Sequence, residues 1–190
     1  EEKELSKCSL IPPTTMLTVY KQVETANLFR IIFRSGGLYS TYGIPLNCFK
    51  NRFIDFGLEI DKELSFLYEM MGENPQIDIC VQQFEAYLMK KLQSNSPSNI
   101  FRILQGILRQ QNNGINAKKL AEEFGRTRRH LNRLTNREFG LSSKQFIQIH
   151  RFCEVIQSLN HTFTISLGQL AFNFGYYDLA HFSHEFKQMT

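Results

Sequence analysis

Arg128, Arg129, Asn132 and Arg133 fall within a span of six residues, and their side chains are the types that read base edges in DNA. An Arg guanidinium donates two hydrogen bonds to guanine O6 and N7. An Asn amide pairs with adenine N6 and N7, and each such pair discriminates by roughly 1–3 kcal/mol. One Arg on an amphipathic helix is usually a solvated charge. Three Arg and one Asn on a single helical face, just after Gly125, suit base reading better. Arg128 stands open between bases and phosphate. Lys118, Lys119, Arg126 and Lys144 flank this set. Cations there would meet phosphates, which sets register and salt dependence rather than sequence.

A second set follows 51 residues later. Leu179, Ala180, Ser183 and His184 make the outward face of a helix whose inward face is Phe182 and Phe186. Leu179 or Ala180 suits a thymine methyl. Ser183 and His184 suit bases or phosphate. This face has little formal charge, so the first set is expected to dominate affinity. His181 is expected to cap or pack within its unit. The spacing His181-x-x-His184-Glu185 admits a metal pair, but no third ligand is in reach. No catalytic group, metal or cofactor is expected.

The elements that must position these residues repeat. Leu120, Ala121, Phe124 and Gly125 recur as Leu170, Ala171, Phe174 and Gly175. Each stretch reads as a short amphipathic helix stopped by Gly, then a turn, then a second helix: a helix-turn-helix, present twice. Capping residues mark the starts. Asn116 opens a helix over 117–124, and Thr127 one from Arg128 to about Glu138. Ser142 or Ser143 opens a long one over 144–159, Ser166 one over 167–174, and Asp178 the last. On the long helix Phe146, Ile149, Phe152, Cys153, Ile156 and Leu159 are expected to face inward. A helix over about 100–111 precedes them all. Arg151, on the long helix, suits either a DNA contact or an internal ion pair, with the pair favoured.

This order resembles the AraC/XylS family of bacterial transcription regulators. The resemblance rests on Leu120-Ala121, Gly125, Leu131-x-Arg133, Gly140, Leu141-Ser142, Arg151, Gly175-Tyr-Tyr-Asp178 and His181-Phe-Ser-x-x-Phe-Lys187. It implies two recognition helices about one DNA turn apart, with Arg129, Asn132 and Arg133 first in line as base readers. Double-stranded DNA is the implied partner. RNA polymerase, a small-molecule effector and a second copy of the chain are further partners in keeping with it, as is the role of activator. Thr135 stands where the family has Phe, and His184 where it has Arg. The chain stops at Thr190, before the usual Gly-x-Ser-Pro tail, which suggests truncation or disorder. Gly43-Ile-Pro45, Asn51-Arg52 and Phe56-Gly57 also resemble a small sensor region of some members.

Charge agrees with a divided chain. Residues 1–95 hold 10 basic and 12 acidic side chains, and residues 96–190 hold 12 and 6. A basic C-terminal half points to a polyanion partner. The polar run 94–99 marks the boundary. The expected organisation is a partial sensor or dimerisation region over 1–94, a linker over 95–99 and the DNA-binding domain over 100–190. The expected fold is mainly α: a C-terminal seven-helix domain with two helix-turn-helix units joined by a long central helix, and a small α+β N-terminal region. Met16–Tyr20 and Phe29–Phe33 read as strands, followed by about three helices between Pro45 and Lys91. Without an initiator Met, the chain is expected to begin inside a longer protein.

The alternative is a DNA-targeted repair or modification enzyme with its chemistry in the N-terminal half. That needs a reactive Cys or a metal quartet. The four Cys, at 8, 48, 80 and 153, are far apart, and the five His all lie in the C-terminal half, so free thiols and no enzyme activity are the expectation. No apolar run approaches the roughly 20 residues that span a bilayer, and no leader is visible, so no membrane and a cytoplasmic location are expected.

Overall fold

The computed structural model describes residues 7–11, 28–49, 52–73, 75–93, 98–110, 115–161 and 166–189. The N-terminal region begins with β1 (Ser9–Leu10), α1 (Gly37–Tyr42), a 3-10 turn (Leu46–Cys48), β2 (Ile54–Asp55) and α2 (Phe56–Glu59). The hairpin of α3 (Lys62–Glu73) and α4 (Ile77–Gln93) follows. β1 and β2 form a two-residue antiparallel ladder, Ser9 opposite Asp55 and Leu10 opposite Ile54. Leu38, Leu46, Phe49, Ile54 and Phe56 make the local core. Leu67, Phe84 and Tyr87 make a second one between α3 and α4. A polar chain ties these parts. Tyr87 donates to Asp61 Oδ2 at 2.8 Å, so the 2.6 Å contact between the Tyr42 and Tyr87 hydroxyls is donated by Tyr42. Lys91 Nζ lies 2.6 Å from the same Asp61 oxygen.

Several expectations for this region need correction. Phe29–Phe33 is not a strand: it runs without a ladder. Phe29 meets Phe84 edge to face at 6.0 Å, and Phe33 packs on the local core, while Ile31 and Ile32 are exposed. The alternation reflects packing on helices, not pairing. Met16–Tyr20 lies outside the described residues. The first expected helix, on Leu46, Phe49, Phe53 and Phe56, breaks into the 3-10 turn, β2 and α2. Its apolar side chains serve a compact cluster rather than one helix face.

From Ile100 every regular element among the described residues is a helix: α5 (Ile100–Gln110), α6 (Ala117–Glu123), α7 (Arg128–Phe139), α8 (Ser143–His161), α9 (Leu167–Asn173) and α10 (Leu179–Met189). Among the described residues that is six helices rather than seven. Leu104, Leu108, Leu120, Leu131, Phe139 and Phe146 are central to the first core, where the rings of Phe139 and Phe146 stack with centroids 5.0 Å apart. Val155, Leu170, Ala171, Tyr176 and Phe182 form the second.

α8 joins the two cores. Its N-terminal half gives Phe146 and Ile147 to the first, and its C-terminal half gives Val155 and Leu159 to the second. The expected inward face was a single stripe, but Ile149 and Cys153 are exposed and Val155 is fully buried. A helix that fills two cores presents a different arc to each, so one stripe cannot describe it.

The N-terminal region packs on the first C-terminal unit. The 3-10 turn lies against α7. A side chain added at Gly36 would place its Cβ 3.1 Å from the Phe139 ring, and Gly36 also has φ of 78°, so only glycine suits this approach. Ser98 N donates to Ser40 Oγ at 3.2 Å, and the Ser98 hydroxyl donates to Glu138. Glu138 is 1 % exposed, with Arg137 3.1 Å from its other oxygen.

Candidate nucleic-acid interface

The first unit is built on a short helix that must stop sharply. Asn116 accepts from the backbone N–H of Lys118 and Lys119, both at 3.0 Å, and starts α6. Leu120 and Ala121 turn inward and are buried. Gly125, at φ 68°, takes the left-handed conformation that stops α6 without strain. The turn closes with Gly125 N donating to Glu122 O at 2.9 Å and Arg126 N to Ala121 O at 2.9 Å. Thr127 then accepts from His130 N at 3.2 Å and opens α7.

The second unit repeats this bond for bond. Gly175, at φ 72°, donates to Phe172 O at 3.1 Å, and Tyr176 N donates to Ala171 O at 3.0 Å. Asp178 accepts from His181 N at 2.7 Å and opens α10. The second turn holds one more residue than the first, so Thr127 corresponds to Asp178 at an offset of 51.

On α7, Leu131, Leu134 and Thr135 are buried, while Arg128, Arg129, Asn132 and Arg133 lie on the exposed side. Arg133 is 3.3 Å from His130 Nδ1. Arg128, Arg129 and Asn132 line a concave opening of about 520 Å³, together with Ala117, Ser142, Ser143 and Lys144. Three expected base readers and one expected phosphate contact thus share one hollow. Lys118, Lys119 and Arg126 are exposed on α6 and its turn, with Lys118 4.0 Å from Glu122. On α10, Leu179, Ala180 and His184 are exposed and Ser183 is half-buried. His184 contacts Gln188 at 3.0 Å.

Asn132 has a second tie. Its Oδ1 accepts from Ser143 N at 3.0 Å and from Ser143 Oγ at 3.3 Å. Ser142 caps α8 by accepting from Gln145 N at 3.2 Å, and Gln145 Oε1 accepts from Ser142 N at 3.1 Å, a reciprocal capping box. Asn132 serves the next N–H of the same helix end from across the unit.

Arg151 forms the internal pair. Its guanidinium is 3.9 Å from Glu185 Oε1 and 4.9 Å over the Tyr176 ring. Glu185 is buried, and its other oxygen accepts from Gln148 at 3.2 Å and lies 3.4 Å from His181. Burial, reinforced by the Glu185 charge, pushes the Tyr176 phenol up to about 12. His181 stacks edge-on to Tyr176 at 5.5 Å, so it packs within the unit, as expected. These groups hold α10 to α8 and set the angle of its exposed face.

The sequence reading missed two features of this surface. Tyr177 is the extra residue of the second turn and is 92 % exposed beside α10. The change of offset from 50 to 51 was its only signal. Phe172 is 79 % exposed on α9, opposite the buried Leu170 and Ala171. Burial raises the thiol pKa of Cys8 and of Cys153, the reverse of what an activated thiolate needs. Among the described residues no group of three His, Cys, Asp or Glu is arranged to hold a metal, and no helix is long and apolar enough to cross a membrane.

Residues 120–190 match the model of a family described as a helix-turn-helix domain. Searches of curated proteins and of solved structures give no match. The matched span opens at Leu120 in α6 and runs through both turns, α8 and α10. With two turns closed by the same pair of backbone hydrogen bonds, two exposed second helices and a connecting helix that serves both cores, residues 120–190 are an AraC-type helix-turn-helix domain, the DNA-binding part of a transcription regulator.

Proposed function

We propose that this chain is a sequence-specific bacterial regulator that sets α7 and α10 into adjacent major-groove segments on one face of double-stranded DNA. The carrying observation is the bond-for-bond repeat of the two turns, each followed by a helix with an exposed outer face. In this reading Arg128, Arg129, Asn132 and Arg133 read bases from α7. Leu179, Ala180, Ser183 and His184 supply apolar and polar contacts from α10. Lys118, Lys119, Arg126 and Lys144 hold phosphates and give the complex its salt dependence.

The N-terminal region would serve as a sensor or dimerisation unit, with a small-molecule effector, RNA polymerase and a second copy as partners, in an activator that works in the cytoplasm and catalyses nothing. The contacts of α1 and the 3-10 turn with α7 support a link between such a unit and DNA reading. Selection of bound sequences from random DNA at two salt concentrations tests the reading. The expected result is one preferred site that survives the higher salt. In Arg129→Ala and Arg133→Ala, affinity for that site should fall by about 1–3 kcal/mol more than for random DNA. Recovery of no preferred sequence would overturn it.

A further inference from the structure

Asn is the side chain that ordinarily reads adenine, because its carbonyl accepts from N6 while its amide donates to N7. That needs both ends of the amide. In this chain one end is occupied. Asn132 Oδ1 receives two donors, Ser143 N–H at 3.0 Å and the Ser143 hydroxyl at 3.3 Å. A carbonyl oxygen has two lone pairs, so both are taken.

The orientation of the amide is fixed by chemistry. A backbone N–H can only donate, so the atom facing Ser143 N must be the oxygen and not the NH2. Ser143 is 3 % exposed, so water is a poor substitute for Asn132. Ser142 and Gln145 already occupy each other in the capping box. They leave the Ser143 N–H as an orphan donor of the helix end. Releasing Asn132 would strand that donor. Among the described residues, none of the hydrogen bonds of Asn132 uses Nδ2. The side chain is exposed on the same hollow as Arg128 and Arg129.

We propose that Asn132 reads DNA as a donor only, and that it therefore selects guanine rather than adenine. Guanine shows two acceptors, N7 and O6, and no donor in the major groove. Adenine shows a donor, N6, that would find no free acceptor on this side chain. The inference rests on the reading that α7 lies in the major groove. It reverses the base that the residue type alone suggests.

The test is sequence selection from random DNA with the full chain, Asn132→Ala and Asn132→Asp. Asp keeps an acceptor for Ser143 but has no N–H to offer, so it separates reading from capping. Circular dichroism reports whether each variant keeps its helix content. The expected result is one guanine in the wild-type site whose preference falls about five- to tenfold in both variants, with the helix content of Asn132→Asp unchanged. Loss of a preference for any other base, or no altered position in either variant, overturns the proposal. Failure of the wild-type chain to select any sequence would instead strike the parent reading, and the wild-type arm shows which has failed.

Discussion

The guanidinium of Arg137 lies 5.3 Å over the ring of Tyr39, and so a residue of α7 is held by a residue of α1. Beside it Glu138 is buried with the Ser98 hydroxyl on one oxygen and Arg137 on the other. A buried carboxylate that loses its donors, or donors that lose their carboxylate, costs about 1–3 kcal/mol. Glu138→Ala should lower stability by that amount in urea titrations, and Glu138→Gln by less, because the amide oxygen still accepts from Ser98. An unchanged urea midpoint in Glu138→Ala would show that this contact does not hold the two regions together.

The Arg151–Glu185 pair should behave as a unit. At 3.9 Å it is coulombic rather than a direct hydrogen bond, and both partners are largely out of water. Removing one partner strands the other charge, and such losses run to about 3 kcal/mol or more. Glu185→Leu alone should therefore destabilise the second unit more than Arg151→Met with Glu185→Leu together. A double-mutant cycle measures this. Additive losses would mean that each side chain acts through its own packing.

His150 predicts a pH dependence. Burial lowers its pKa from the ordinary 6.5, with Arg109 acting the same way and Glu154 opposing them; among the described residues its Nε2 has no hydrogen-bond partner, and Glu154 Oε1 lies 3.8 Å away. The unfolded chain thus takes up the proton at a higher pH than the folded one. Stability is full above about 6.5 and falls as the pH drops below it, until the folded imidazole also titrates. Urea midpoints at pH 7.5 and 5 should differ less in His150→Phe than in the wild type. An identical difference would assign the pH effect to other groups.

Salt dependence separates the cations. Lys118, Lys119, Arg126 and Lys144 are exposed, and each proposed phosphate contact should contribute about 0.9 to the slope of log K against log salt. Each Ala variant should weaken binding evenly across sequences and lower the slope by about that amount. A slope unchanged in Lys144→Ala would remove it from the phosphate set.

The C-terminal half was legible in the sequence because its signals are local. The glycines that stop α6 and α9, and the caps Asn116, Thr127, Ser166 and Asp178, each act within four residues of the bond they make. The Asn132–Ser143 bond spans 11 residues and joins two helices. No local pattern announces it, and the residue type pointed instead to adenine. The N-terminal region failed for the same reason. Phe29–Phe33 has the composition of a strand, but a strand needs a partner, and the ladder formed elsewhere, between Ser9–Leu10 and Ile54–Asp55. α1 opens within Ser35-Gly36-Gly37, which reads as a turn. It is a helix because Leu38 and Tyr42 have a core to enter.

α8 carries Phe146 and Ile147 in one core and Val155 in the other, on one uninterrupted helix. Rotation and distance between the two units are therefore coupled. One residue inserted between Ile147 and Val155 would turn the second unit by about 100° and shift it by about 1.5 Å. On the DNA side, one base pair added between the two segments proposed for α7 and α10 would turn one against the other by roughly a tenth of a helical turn. A protein built on such a spindle tolerates an altered base more readily than an altered spacing.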